Sequence, residues 1–227
     1  MPAQDFLKEK NMAKFCPLFS SSSGNCIYIG TSDGGILIDA GVSAKRITGA
    51  LENIGVSPDS ISAIFITHEH SDHINGLRVF AGSRNIDVYA SAGTLRALDS
   101  IGILNGKFTA REISENGAEA AGIYVKPFAT PHDAAQSYGY TAVTPDGRRI
   151  SVATDLGHMT DTVMNAIYGS DLVMLESNHE IDLLRRGPYP YPLKQRILSD
   201  IGHLSNTACS DAAVKLLDSG TVRFMLG

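Results

Sequence analysis

Three histidines and an aspartate crowd into six residues, His68-Glu69-His70-Ser71-Asp72-His73, directly after the apolar run Ala63-Ile64-Phe65-Ile66. An unbroken apolar run of this length reads as a strand buried on both faces. A helical apolar spacing follows at Ile74, Leu77, Val79 and Phe80. The cluster therefore falls where a buried strand gives way to a helix, and the carboxyl ends of strands are where layered α/β proteins gather their sites. In extended backbone, residues two apart point the same way, so His68 and His70 can grip one ion. Asp72 and His73, at the helix start, can grip a second beside it. Imidazole and carboxylate are donors that zinc, iron and manganese accept. The chain has only 7 histidines in 227 residues, so this crowding is not a compositional accident.

The rest of the chain supplies many strands and unevenly spaced helices. Strand-like runs lie at 26–29, 36–38, 63–66, 86–90, 123–128, 138–143, 150–153, 172–175 and 222–226, with a first strand-like pattern beginning at Ala13-Lys14-Phe15. The spacing predicts helices over 43–54, with Ser43 as N-cap, and over 92–98, 193–201 and 207–217. Pro145-Asp146-Gly147 marks a hairpin turn. The pattern is neither strictly alternating nor all-β, and it fits two packed sheets with helices outside. No internal repeat or linker divides it. Residues 1–12 read as a flexible leader, with Met12 a possible second start, and residues 13–227 as one domain.

The net charge of −5 argues against a generically basic nucleic-acid binder, although bound divalent cations would add positive charge at the site. Cys16, Cys26 and Cys209 are an odd, irregularly spaced set that suggests no disulfide framework and fits a reducing cytoplasm. The first residues contain no apolar signal segment, and no run approaches a membrane span. Tyr138 and Tyr168 read as core.

The pattern His-x-His-x-Asp-His after an apolar strand resembles the metallo-β-lactamase superfamily, and the likeness extends along most of the chain. It implies a four-layer αββα sandwich with a dinuclear site at one sheet edge. Asp39, in Leu37-Ile38-Asp39-Ala40-Gly41, matches an aspartate that supports the site from behind the ligands, as Thr67 would beside it. His132, in Thr130-Pro131-His132-Asp133, and Asp155, in Thr154-Asp155, match a ligand histidine and a carboxylate that bridges both ions. By that resemblance the first ion takes His68, His70, His132 and Asp155. The second takes Asp72, His73, Asp155 and one further histidine, which in the family follows a late apolar strand. Here that strand runs into Gly227, so the sequence reads as truncated before the ligand; His158 and His203 do not match its place. Two divalent ions are implied, zinc before manganese or iron.

Further segments, Ser20-Ser21-Ser22-Ser23-Gly24-Asn25-Cys26, Leu175-Glu176-Ser177-Asn178-His179, Gly187-Pro188-Tyr189-Pro190-Tyr191-Pro192-Leu193-Lys194 and Gly202-His203-Leu204-Ser205-Asn206, resemble the YycJ-like (WalJ-like) branch, related to the superfamily's nucleases. The resemblance implies phosphodiester hydrolysis of DNA or RNA by a metal-activated hydroxide. Asp72 would orient the nucleophile, and Glu176 with His203 would protonate the leaving oxygen. Asn178 and His179 would line the pocket. Arg185, Arg186, Lys194 and Arg196 around Tyr189 and Tyr191 pair cations with rings, a composition suited to single-stranded or end-containing nucleic acid. The same stretch also reads as a proline-stiffened surface loop. Two other functions remain open: a glyoxalase-type thioesterase or lactonase with the same ligands, and a metal-stabilised regulatory module in cell-envelope signalling. No membrane partner is expected.

Overall fold

The computed structural model describes residues 12–105, 107–221 and 223–227. The expected leader therefore lies outside the described residues except for Met12, which is exposed. Twelve strands among the described residues form two six-stranded sheets. The first contains Lys14–Phe19 (β1), Cys26–Thr31 (β2), Gly34–Ile38 (β3), Ile61–Phe65 (β4), Asp87–Ala90 (β5) and Ala110–Glu112 (β6), side by side in that order. The second contains Ala118–Ala120 (β7), Ile123–Ala129 (β8), Tyr138–Val143 (β9), Arg149–Ala153 (β10), Leu172–Leu175 (β11) and Arg223–Leu226 (β12), again in order. Each sheet is antiparallel at one end and parallel at the other: β3 to β6 run parallel, as do β10 to β12.

Among the described residues eight α-helices accompany them: Ala44–Asn53 (α1), Ser71–Ile74 (α2), Leu77–Arg84 (α3), Ala92–Ser100 (α4), Asp161–Ile167 (α5), Ile181–Arg186 (α6), Tyr191–Ile197 (α7) and Asn206–Asp218 (α8). Three apolar cores separate four layers. Successive strand residues alternate between cores, as the two-residue period requires. Tyr28, Leu37, Ile64 and Ile66 face Ile47, Leu51, Phe80 and Leu98 of the first helical layer. Ile29, Ile36, Ile38 and Phe65 face Tyr140, Ile150, Val152 and Met174 across the sandwich. Val173 and Leu175 face Val163, Ile167, Cys209 and Leu216 in the last layer. Strands buried on both faces explain the unbroken apolar runs, and each fully buried aliphatic side chain contributes about 1.5–3 kcal/mol. The architecture is the αββα sandwich expected.

Several local expectations are corrected. Ser43 occupies the N-cap position of α1, but its side chain makes no cap hydrogen bond. The helix after the histidine cluster breaks into α2 and α3, and Val79 points to solvent rather than to the core. Tyr168 is exposed because it ends α5 at the surface. Tyr138 is half-buried against the middle core. The proline-stiffened loop is in fact two short helices, α6 and α7, joined across Pro188 and Pro190. All three cysteines are free, with Cys26 and Cys209 buried.

The chain crosses itself tightly beside the cluster. Asn25 N–H donates to Asp72 O (2.7 Å), Gly41 N–H to Asn25 O (2.7 Å), Ala40 N–H to His73 O (2.8 Å) and Gly76 N–H to Ala40 O (2.8 Å). A Cβ on Gly41 would lie 1.7 Å from Asp72 O, so only glycine lets these segments meet. Gly41→Ala is expected to lower stability by about 1–3 kcal/mol through overpacking. Urea unfolding of the metal-free protein measures this; a change within error would show the crossing to be slack.

Candidate metal centre

The cluster stands at the carboxyl ends of the central strands. β3 delivers Asp39, β4 delivers Thr67 and His68, β10 delivers Asp155 and β11 delivers Glu176, while the β8–β9 loop carries His132. Asp39 (φ 62°) and Asp155 (φ 54°) adopt the left-handed conformation just past their strands. Aspartate tolerates this region better than most residues, and here it turns the carboxylate in toward the cluster.

Asp39 is buried and organises two histidines. Thr67 N–H donates to its Oδ1 (2.9 Å), and Thr67 Oγ1 donates to its Oδ2 (2.9 Å). His73 Nδ1 donates to the same Oδ2 (2.8 Å). With its one proton committed to Asp39, the Thr67 hydroxyl accepts from His68 Nδ1 (3.0 Å). His132 Nδ1 donates to the Gly202 carbonyl (3.0 Å). These bonds commit Nδ1 of each ring and turn Nε2 of His68, His73 and His132 toward one another, the nitrogen a cation would take.

Those nitrogens converge. His68 Nε2 lies 3.0 Å from His70 Nδ1, and His132 Nε2 lies 3.3 Å from it. His70 Nδ1 has at most one proton to offer two lone pairs, so protein hydrogens alone cannot satisfy the trio. Two ligands of a tetrahedral ion at ~2.0–2.1 Å stand roughly 3.3 Å apart, so the spacing suits a cation. His73 Nε2 faces Asp155 Oδ2 (3.2 Å) and Asp72 Oδ2 (3.5 Å). Among the described residues three overlapping sets of side chains could each hold an ion: His68, His70 and His132; His68, His73 and Asp155; and His132, Asp155 and His203. Asp155 belongs to two of them, and Asp72 stands beside the second.

Charge follows the same geometry. Burial pushes the His68 and His132 pKa values down, which keeps lone pairs available. Burial also opposes charge on His73, but Asp39 and Asp155 on either side outweigh it and raise its pKa well above the usual value. Burial would raise Asp155, yet His73, His68 and His132 hold it well below the ordinary carboxylate range. His203 Nδ1 donates to Glu176 Oε1 (2.7 Å) and lies 3.5 Å from Asp155 Oδ1. Burial opposes charge there too, and Glu176 raises the His203 pKa. Glu176 Oε2 accepts from Leu156 N–H and Leu204 N–H (both 3.0 Å), so this buried carboxylate is fully engaged.

His158 stays outside the cluster, exposed and bonded to Asp200 O. His179 is half-buried, with no hydrogen-bond partner for Nδ1 among the described residues, and Asn178 is exposed next to it. Tyr189 and Tyr191 are exposed on the α6–α7 segment. Lys194 Nζ turns back to Arg185 O (2.8 Å), whereas Arg196 reaches Asp133. Three residues escaped the sequence reading. Asn25 Nδ2 lies 3.1 Å from His73 Nε2 and 3.4 Å from Asp72 Oδ2. Glu69, inside the motif, accepts from Ala135 N–H (2.7 Å) and pins the β8–β9 loop. Asp133 faces His132 and Arg196. Asn25 carried a signal, as the end of the serine run; the other two had only their neighbours.

Asp39→Ala removes the acceptor of three buried donors. It is expected to cost about 3–5 kcal/mol, the range for breaking a buried pair. Urea unfolding of the metal-free protein should show the loss, and a cost below about 1 kcal/mol would mean that the relay has little structural weight.

Residues 35–226 match the family model described as the beta-lactamase superfamily domain. The chain is 38% identical over 218 residues to exodeoxyribonuclease WalJ of Streptococcus pneumoniae (strain D39), covering 94% of this chain and 80% of that one. It is likewise 38% identical to exodeoxyribonuclease YycJ of Bacillus anthracis, covering 90% of this chain and 76% of that one. The metallo-β-lactamase fold protein YhfI of Bacillus subtilis superposes with a TM-score of 0.72 at 14% identity, over 95% of this chain and 86% of that one, a likeness of fold. Sequence match, shared fold and converging donors agree: the chain belongs to the metallo-β-lactamase superfamily, alongside WalJ and YycJ.

Proposed function

We propose that the chain is a metal-dependent deoxyribonuclease that hydrolyses phosphodiester bonds at DNA ends. The observation that carries this reading is the placement of a Glu176-held His203 against a cluster of metal donors, in a chain 38% identical to two exodeoxyribonucleases. The donor set fits two divalent ions, zinc before manganese or iron. His68, His70, His132 and Asp155 would hold the first, and Asp72, His73 and Asp155 the second. Ions held there supply a low-pKa water and neutralise charge on phosphoryl oxygens.

The chain's own groups do the rest. Asp39 and Thr67 hold His68 and His73 in the ligating tautomer. Asp72 orients the attacking water, and His203 delivers its proton to the leaving oxygen while Glu176 stabilises the charged imidazole. Asn178, His179 and Lys194 line the approach, with Arg196 and the rings of Tyr189 and Tyr191 meeting the strand. Residues 13–227 act as one domain in the cytoplasm. No described helix is long and apolar enough to cross a membrane.

The test is hydrolysis of end-labelled single- and double-stranded oligodeoxynucleotides by metal-loaded protein, with a glutathione thioester as control. We expect His68→Ala to lose metal and activity together. His203→Ala should keep its metal and lose about 10²–10⁴-fold in kcat. Metal-replete protein that cleaves the thioester and no phosphodiester would sink the reading.

A pH dependence follows as well. The raised pKa of His73 means that the metal-free protein carries a proton there at neutral pH, and a ligand nitrogen must release it. Metal affinity is expected to rise with pH across the neutral range. Titration calorimetry in two buffers of different ionisation enthalpy should show net proton release; none would contradict the assignment of His73.

A further inference from the structure

Asp133 follows His132 in the β8–β9 loop, and its N–H is anchored to Ile201 O (3.0 Å). Its Oδ1 lies 3.3 Å from His132 Nε2 and 3.9 Å from His70 Nε2, the ring nitrogen that points away from the donor cluster. Both oxygens also take Arg196, through Nε and Nη2. The carboxylate thus stands between the histidine cluster and a guanidinium on α7.

This pair is ill suited to a purely structural task. The Arg196 side chain is 49% exposed, and exposed ion pairs contribute little to stability. A two-point fork does set the plane of the guanidinium. It uses two of five N–H donors and leaves three for another anion. The Asp133 Oδ1 that Arg196 Nη2 holds is the same oxygen that faces His132 and His70, so the guanidinium stands one carboxylate away from the donor cluster. Glu69 holds Ala135 of the same loop, which keeps the clamp in place.

We infer that Asp133 is a positioning residue that holds the Arg196 guanidinium at the rim of the metal centre, where it takes the backbone phosphate next to the scissile one. Arg196 stands one carboxylate beyond His70 and His132, so the adjacent phosphate is the one within its reach. The inference rests on the nuclease reading and adds a subsite to it.

The experiment compares a single-stranded oligodeoxynucleotide with bis(p-nitrophenyl) phosphate, a diester with no neighbouring phosphate. Asp133→Asn, Arg196→Ala, Arg196→Lys and the double variant Asp133→Asn/Arg196→Ala are each measured with full metal content confirmed. Asp133→Asn and Arg196→Ala should each raise KM for the oligonucleotide about tenfold, the scale of one charge-assisted contact. The loss should fall in KM rather than in kcat, and it should be several-fold smaller on the small diester than on the oligonucleotide. The double variant should be no worse than Arg196→Ala alone. Arg196→Lys should fail to rescue, since an ammonium cannot form the fork. In Arg196→Ala the dependence of log KM on log salt should flatten by about one. Equal losses on both substrates, or metal loss in Asp133→Asn, would overturn the inference while leaving the nuclease reading standing. Wild-type protein inert on both diesters would overturn both.

Discussion

A single buried carboxylate, Asp39, governs the rest of the centre. It sits in a left-handed turn at the end of β3 and accepts from the backbone and hydroxyl of Thr67 and from the ring of His73. A carboxylate taken this deep is costly unless its lone pairs are used, and here they are. What it gains in satisfaction it returns as order: the hydroxyl it captures fixes His68, and the ring it captures fixes His73. Two donor nitrogens on one segment are aimed by one acceptor on another.

The sandwich supplies the rigid frame that this arrangement needs. β3 and β4 are parallel neighbours, so their carboxyl ends emerge side by side and Asp39 meets Thr67 without a long loop. Across the sandwich, Tyr140 donates to Ile66 O (2.6 Å) and its ring packs edge-on against Phe65. The last residues before the cluster are therefore held from the opposite sheet. Mispositioning by fractions of an ångström is expensive for polar sites, and a site on strand ends resists it better than one on free loops.

Much of this was legible in the sequence. The run from Ala63 to Ile66 declared a strand buried on both faces, and its abrupt passage into His68, His70, Asp72 and His73 declared donors at its end. Asp39, His132 and Asp155 were legible through resemblance, because each is one polar residue whose partners lie far along the chain. What stayed hidden was tertiary. The short edge strands β6 and β7 lack an apolar pattern because their side chains are largely solvated. α6 was masked by the prolines that follow it, whereas α7, expected over 193–201, starts two residues earlier because a proline opens a helix as readily as it closes one. Asp133 and Asn25 looked like ordinary loop residues, since nothing local reveals that Arg196 lies 63 residues from the first and His73 lies 48 from the second.

The tight backbone crossing at Asn25, Gly41 and Asp72 has a consequence for how the centre is filled. The segments bearing the donors are laced by main-chain hydrogen bonds that need no cation. The crossing itself is therefore made without an ion's help. Nitrogen and carboxylate donors held at fixed spacing accept several divalent ions, with affinities in the Irving–Williams order. A cage laced in this way would leave the choice of ion to its ligand types and to the free concentrations in the surroundings as much as to its shape.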